Sequence, residues 1–207
     1  MEKREGSVTA MRFLSTCIVT LIHHDTTAQA PALTMHDMTD ASTLDDDRFW
    51  AFIAAARDAA GDDVDDRVGG LEQVLLTQHP DDVAAFQRKY DELLARACRW
   101  DLWGAAYLIN GGCSDDGFRY FRDWLISEGE AVFEAALADP ESLADVAQDE
   151  DFELESFGYV AAEVYEQLAD APLPRGRATE PASPAGQQWD EDDLPALFPR
   201  LARRFAV

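Results

Sequence analysis

The chain has 207 residues, 47% of them hydrophobic, and sets 41 acidic residues against 17 basic ones for a formal net charge of −24. The apolar content supports a globular domain with extensions, while the charge repels phosphate, which excludes nucleic acid and anionic membrane surfaces and favours a partner with a basic surface. Cys17, Cys98 and Cys113 have no paired spacing, which argues against a disulfide framework or a C-x-x-C metal site and for reduced thiols in the cytoplasm.

Residues 1–40 read as an extension. Lys3, Arg4 and Arg12 precede an apolar run at 13–22, and Ala28-Gln29-Ala30 resembles a cleavage site, the outline of a secretory signal. The run is too short to span a bilayer. Glu2 and Glu5 dilute the basic region, and Met35 and Met38 offer later starts. The extension is therefore expected to be disordered or non-native, with secretion the lesser alternative.

A helical core is expected over 41–170. Asp45, Asp46 and Asp47 suit a helix N-terminus, followed by a stripe of Phe49, Trp50, Ile53 and Ala54, with Ala56 and Ala60 near its edge. Gly61 ends it, and a short helix follows with Val68, Leu71, Val74 and Leu75 on one face. His79-Pro80 opens the next, in which Phe86, Tyr90, Leu93, Leu94 and Ala97 recur at helical spacing and Glu92 and Arg96 are placed to pair. The pattern runs on through Leu102, Trp103, Ala106 and Tyr107, as one helix or as two joined near 99–101. Gly129 predicts a break, and Asp139-Pro140 a stop. Leu154, Phe157, Val160, Ala161, Val164, Tyr165 and Leu168 predict one long amphipathic helix. Residues 171–187 read as a Pro/Ala/Gly-rich linker or loop. The tail at 188–207 carries Trp189, Leu194, Leu197, Phe198, Leu201 and Phe205, with Pro195 and Pro199 restricting it to short helices that pack on the core. No stretch alternates like a strand. The expected fold is all-α, built around a helix–hinge–helix at 100–126 with a docked C-terminal tail.

That hinge is Asn110-Gly111-Gly112-Cys113-Ser114-Asp115-Asp116-Gly117. Asparagine and glycine tolerate the left-handed conformation that ends a helix, and Ser114 or Asp115 can cap the next one. A junction of two helices explains the motif completely. As a binding site, its candidates are Asn110, Cys113, Asp115, Asp116 and Arg119. Cys113 at a helix N-terminus would have a lowered thiol pKa, opposed by the adjacent carboxylates. Asp115 and Asp116 offer charge to a cation or to a partner's arginine, and Arg119 and Arg122 are one turn on to pair with them or to hold an anion.

The run AAYLINGGCSDDGFRYFRDWLI at 105–126 resembles the signature of a bacterial family, domain of unknown function 4240. Phe49-Trp50, Asp139-Pro140, Tyr159 and Tyr165, and the closing Trp189 and Phe198-Pro199-Arg200-Leu201 extend the likeness over roughly 45–207. The resemblance implies a helical bacterial domain and brings no activity with it, so no catalytic residue carries over.

After residue 40 the only histidine is His79, before a proline, so Ser-His-Asp and Cys-His mechanisms have one residue to depend on. Gly69-Gly70 and Gly111-Gly112 lack the phosphate-loop pattern. Carboxylates are the only abundant catalytic groups; Asp115 and Asp116, with Glu128, Glu130 and Glu134 near in sequence, are the candidates for a magnesium site or an acid–base pair. The leading expectation is a cytoplasmic protein-binding module, regulatory or toxin-neutralising, with no cofactor, metal ligand or catalytic residue assigned. The alternative is a carboxylate-dependent, metal-assisted hydrolase using the hinge aspartates.

Overall fold

Capping chemistry starts three helices where the sequence predicts them. In a computed structural model of the chain, which describes residues 44–61, 63–146, 152–176 and 181–205, α1 spans Asp46–Ala60 and the Asp45 carboxylate accepts the Arg48 N–H at 2.7 Å. Such a cap contributes about 1 kcal/mol. The 1–40 extension lies outside the described residues. Helix α1 buries Phe49, Trp50, Ile53 and Ala56; Ala54, expected on that stripe, is exposed because it falls one turn beyond Trp50, at the stripe's edge. Helix α2, Asp66–Leu76, buries Leu71 and Leu75. It approaches α1 so closely that a Cβ at Gly70 would collide with the Ala56 carbonyl oxygen.

His79 caps α3, Pro80–Arg96, its Nδ1 accepting the Asp81 N–H at 3.3 Å. The side chain is 72% exposed. Phe86, Tyr90, Leu93 and Leu94 of α3 are buried. The expected Glu92–Arg96 pair does not form: Glu92 lies 3.6 Å from Lys89, while Arg96 reaches Glu134 at 2.9 Å. A bond to a second element fixes Arg96 better than a pair along its own helix does.

The apolar pattern past Arg96 is two helices. Arg99 is extended between α3 and α4 (Trp100–Ile109), and this gap is where Ala185 comes alongside, with Trp100 N–H donating to the Ala185 carbonyl at 2.9 Å. Helix α5, Asp115–Ser127, is buried on almost every face from Gly117 onward. Gly129, at φ 89°, makes the predicted break before α6, Glu130–Ala138. A 3-10 turn, Pro140–Asp145, follows.

The single long helix predicted over 154–168 is corrected. Its first part is a 3-10 turn, Glu155–Tyr159, and only Val160–Ala169 is α-helical, as α7. Gly158 presses its backbone against α5: a Cβ there would lie 3.1 Å from Asp123 Oδ1. Leu168 stays 36% exposed, so the apolar period outruns the buried face. Asp170, at φ 51°, closes α7.

The C-terminal segment supplies the turn Glu191–Asp193, α8 (Leu194–Leu197) and α9 (Pro199–Phe205). Leu194 and Leu201 are buried, and Trp189 donates its indole N–H to the Trp100 carbonyl at 2.6 Å. Leu194 and Phe198 close over Gly104, where a Cβ would lie 2.8–2.9 Å from their side chains. Arg200 pairs with Asp145 at 2.7 Å. Apart from the single Arg99–Ala185 bridge, no strand pairing occurs among the described residues. The fold is all-α, and no helix among those residues is long and apolar enough to cross a membrane.

Adjacent glycines of α2 make a sharp test of the α1–α2 packing. A Cβ at Gly69 would meet nothing within 4 Å, so Gly69→Ala should stabilise the protein by about 0.5–1 kcal/mol through helix propensity. Gly70→Ala should destabilise it by about 1–3 kcal/mol, because overpacking against backbone outweighs that gain. Urea denaturation of both variants reads the contrast; equal effects would mean α1 and α2 are not in this contact.

Candidate functional site at the hinge between α4 and α5

The hinge is built by local backbone chemistry. Asn110 ends α4, Gly111 takes φ 65°, and the Gly112 N–H returns to the Tyr107 carbonyl at 2.8 Å, closing the last turn. Ser114 Oγ then accepts the Gly117 N–H at 3.1 Å to cap α5. The Trp103 indole N–H donates to the Cys113 carbonyl at 3.0 Å, and its ring stacks on Phe118 at 5.1 Å with planes 2° apart. Hydrogen bond and stack together hold α4 against α5; an aromatic pair of this kind contributes about 0.5–1.5 kcal/mol beyond burial.

The five candidate residues divide. Asn110 donates its amide to Glu153 Oε1 at 3.3 Å, and its own side-chain oxygen is buried without a protein partner. Cys113 does not have the lowered thiol pKa expected of a helix N-terminus. Burial first, and then the Glu153 charge, push it up to about 12, which favours the protonated thiol at neutral pH. Asp115 and Asp116 are exposed in the first turn of α5. Arg119, one of the residues placed to pair with them or to hold an anion, donates its Nε to Asp123 Oδ2 at 3.2 Å. Nor do Glu128 and Glu134 converge on the hinge, since Glu128 binds Arg67 Nη1 at 2.5 Å and Glu134 binds Arg96. Among the described residues no three His, Cys, Asp or Glu side chains gather as a metal-binding set.

Asp123 is the residue that sequence reasoning missed. It is 1% exposed, accepts the Tyr90 hydroxyl at 2.5 Å and the Arg119 guanidinium, and lies against Gly158. Burial drives its pKa up to about 6, opposed by Arg119, Tyr90 and Arg122. The available signal was the Arg119-to-Asp123 spacing of four on a helix. Arg122 is also buried, donating to the Phe118 and Leu94 carbonyls at 3.3 and 3.1 Å and lying over the Phe118 ring. Glu153 approaches closely enough that a Cβ at Gly117 would lie 2.9 Å from its Oε1; glycine there makes room for the carboxylate.

Among the described residues, the accessible surface beside the hinge is a face on α5 and the turn Glu155–Tyr159. Asp116 and Tyr120 lie one turn apart on α5; the Tyr120 hydroxyl donates to Glu155 Oε1 at 3.0 Å. That bond, and the charges of Glu155 and Asp116 beside it, raise the Tyr120 pKa to about 12. Tyr159 neighbours the same phenol and is 56% exposed. Two phenols beside the two carboxylates Asp116 and Glu155 can meet a cationic surface. Cys113 is held in its protonated form and Asp123 is sealed in the core.

A family model described as "Protein of unknown function (DUF4240)" matches residues 44–167, which include the hinge, Asp123 and the Tyr159 face. Neither a curated protein nor a solved structure matches the chain.

The buried Asp123 carboxyl makes stability depend on pH in a definite direction. Its folded pKa lies above the ordinary carboxylate value, so the protonated form favours folding. That contribution is complete below about pH 4 and is lost as pH rises through about 6. Titrated from pH 7 down to 4, the wild type should gain stability relative to Asp123→Asn, by about 1.4 kcal/mol per unit at the steepest. Denaturation of both proteins across that range measures it, and a difference independent of pH would show that Asp123 is not a buried titrating group. Ser114→Ala should cost about 1 kcal/mol at any pH through loss of the α5 cap.

Proposed function

The chain belongs to the DUF4240 family, and we propose that it is a protein-binding module that uses the face formed by Asp116, Tyr120, Glu155 and Tyr159 to contact a basic partner surface, in a regulatory or neutralising role. The observation that carries this reading is the face itself: carboxylates and phenols held in register on α5 and the turn Glu155–Tyr159. Tyrosine supplies large contact area at small entropic cost, and it is enriched where interfaces concentrate their energy. The surrounding charge of −24 steers a cationic partner toward the molecule and speeds encounter. Asp115 and Asp116 enter as contact charges, and Asn110, Cys113 and Arg119 as the inward-facing frame that fixes the hinge beneath them.

Capture of binding proteins by the full chain tests the proposal. The wild type should retain a stoichiometric basic protein at low salt and release it at high salt. The triple variant Asp116→Asn, Glu155→Gln, Tyr159→Ala should hold it at least about tenfold less tightly, with an unchanged melting temperature. Equal retention by wild type and variant would show that the contact lies elsewhere, and no retention at either salt would remove the binding reading.

A further inference from the structure

Glycine weakens a helix interior relative to alanine, and Gly104 stands in the middle of α4. What it provides in return is room. The three atoms nearest a Cβ at Gly104 would be Leu194 Cδ2 at 2.8 Å, Phe198 Cε2 at 2.9 Å and the Trp189 indole nitrogen at 3.0 Å, all of them from the C-terminal segment. Trp100, Trp103 and Tyr107 rim this notch, their rings meeting that of Trp189 at 5.9, 6.4 and 5.5 Å. Farther along the segment, Arg200 Nη2 lies 2.7 and 2.8 Å from the two Asp145 carboxylate oxygens, and the Arg200 backbone N–H donates to Glu141.

The segment sits on α4 and the turn Pro140–Asp145 in the manner of a bound peptide. Its helices have four and seven residues, and isolated helices shorter than about 12 residues are marginal in water, so the segment folds by docking. Leu194, Phe198 and Leu201 recur at intervals of four and three, the anchor pattern of a helix lying in a groove. Its basic end, with Arg200, Arg203 and Arg204, meets the acidic rim at Glu141 and Asp145. Residues 171–185, four of them proline, join it to α7. A stretch of that length reaches at most about 50 Å, against a radius of gyration of about 15 Å for a domain of this size. The segment can therefore reach the same notch on a neighbouring copy.

We propose that the α4 notch is an exchange site, which takes the segment at 185–205 from a second copy of this chain in place of its own and so joins two copies through their C-terminal segments. Tethering holds each segment near its own notch at an effective concentration of about millimolar, so dilute protein docks within one chain. Exchange follows when copies are crowded or the home notch is closed. This contact does not depend on the reading of the Tyr120 and Tyr159 face.

Two full-length variants test the exchange. Gly104→Leu fills the notch and leaves the segment intact, whereas Leu194→Asp combined with Leu201→Asp spoils the segment and leaves the notch intact. In sedimentation velocity each variant alone should run as a monomer. An equimolar mixture should run as a 1:1 dimer, because the segment of the first fits the notch of the second. A fluorescein-labelled peptide of residues 185–205 should bind the Leu194→Asp, Leu201→Asp variant at least about tenfold more tightly than it binds wild type, whose own segment competes. The same peptide carrying Leu201→Asp should not bind. Wild type covers the case in which either variant fails to fold: refolded from urea at rising protein concentration, it should yield a growing dimer fraction that excess peptide suppresses. A mixture of folded variants that stays monomeric would overturn the proposal. So would wild type that refolds only to monomer, or peptide binding that Leu201→Asp leaves unchanged.

Discussion

The carboxylate of Asp123 joins three elements at one point: Tyr90 of α3 donates its hydroxyl at 2.5 Å, Arg119 of α5 approaches at 3.2 Å, and the backbone of Gly158 lies against it. Removing an ion from water costs several kcal/mol, and the attraction of its partners offsets that only where their geometry is good. Here the two nearly cancel, with burial ahead, which is why the group titrates near pH 6. The contact thus does more to specify an arrangement than to add net stability. A shift of α3 or of the turn Glu155–Tyr159 would leave a buried carboxylate without its hydroxyl or open it to water.

The same logic runs along the rest of α5. Arg122, Asp123, Ser127 and Glu128 are all buried, and each is bonded to a residue of another helix. Arg122 reaches the Leu94 carbonyl of α3, and Ser127 and Glu128 take Arg67 of α2. Arg57 of α1 donates to the Glu128 carbonyl at 2.5 Å. A central helix that carries polar groups in this order fixes the register of its neighbours, because each group lost from its partner costs about 3–5 kcal/mol when the other is charged and buried. Apolar packing supplies the adhesion, with Phe121 and Trp124 wholly buried. It is the polar contacts that allow a single alignment.

Helix starts were legible in the sequence because capping is local. Asp45, His79-Pro80 and Ser114 each act on an N–H two or three residues away, and spacing alone reveals them. The hinge was legible for the same reason, and so were the aromatic residues that form the core. Partners distant in sequence were not. Arg119 had carboxylates both before it, at Asp115 and Asp116, and after it, at Asp123. Only the inward turn of that face of α5 decides among them. The predicted helix over 154–168 failed similarly: its apolar period is real, but Gly158 answers to the Asp123 carboxylate on another element, and tertiary contact outweighs local propensity. Cys113 shows the limit of reading a site from position. A helix N-terminus lowers a thiol pKa, yet burial and Glu153 act more strongly here.

These internal pairs also decide where the charge of the molecule is felt. Arg57, Arg67, Arg96, Arg99, Arg119, Arg122 and Arg200 all make contacts within the fold, so much of a small basic complement is committed to holding elements together. The carboxylates left over are concentrated at the surface. Charge distributed this way acts over a Debye length of about 8–10 Å, far enough to orient an approaching cationic surface before contact. Specificity then has to come from features of shorter range. In the proposed binding role Tyr120 and Tyr159 provide these, because the elements that carry them are fastened from within: α5 by its buried polar residues, and the turn Glu155–Tyr159 by Gly158 against Asp123. The buried Asp123 carboxylate thereby fixes the position of the phenols on which the proposed recognition depends.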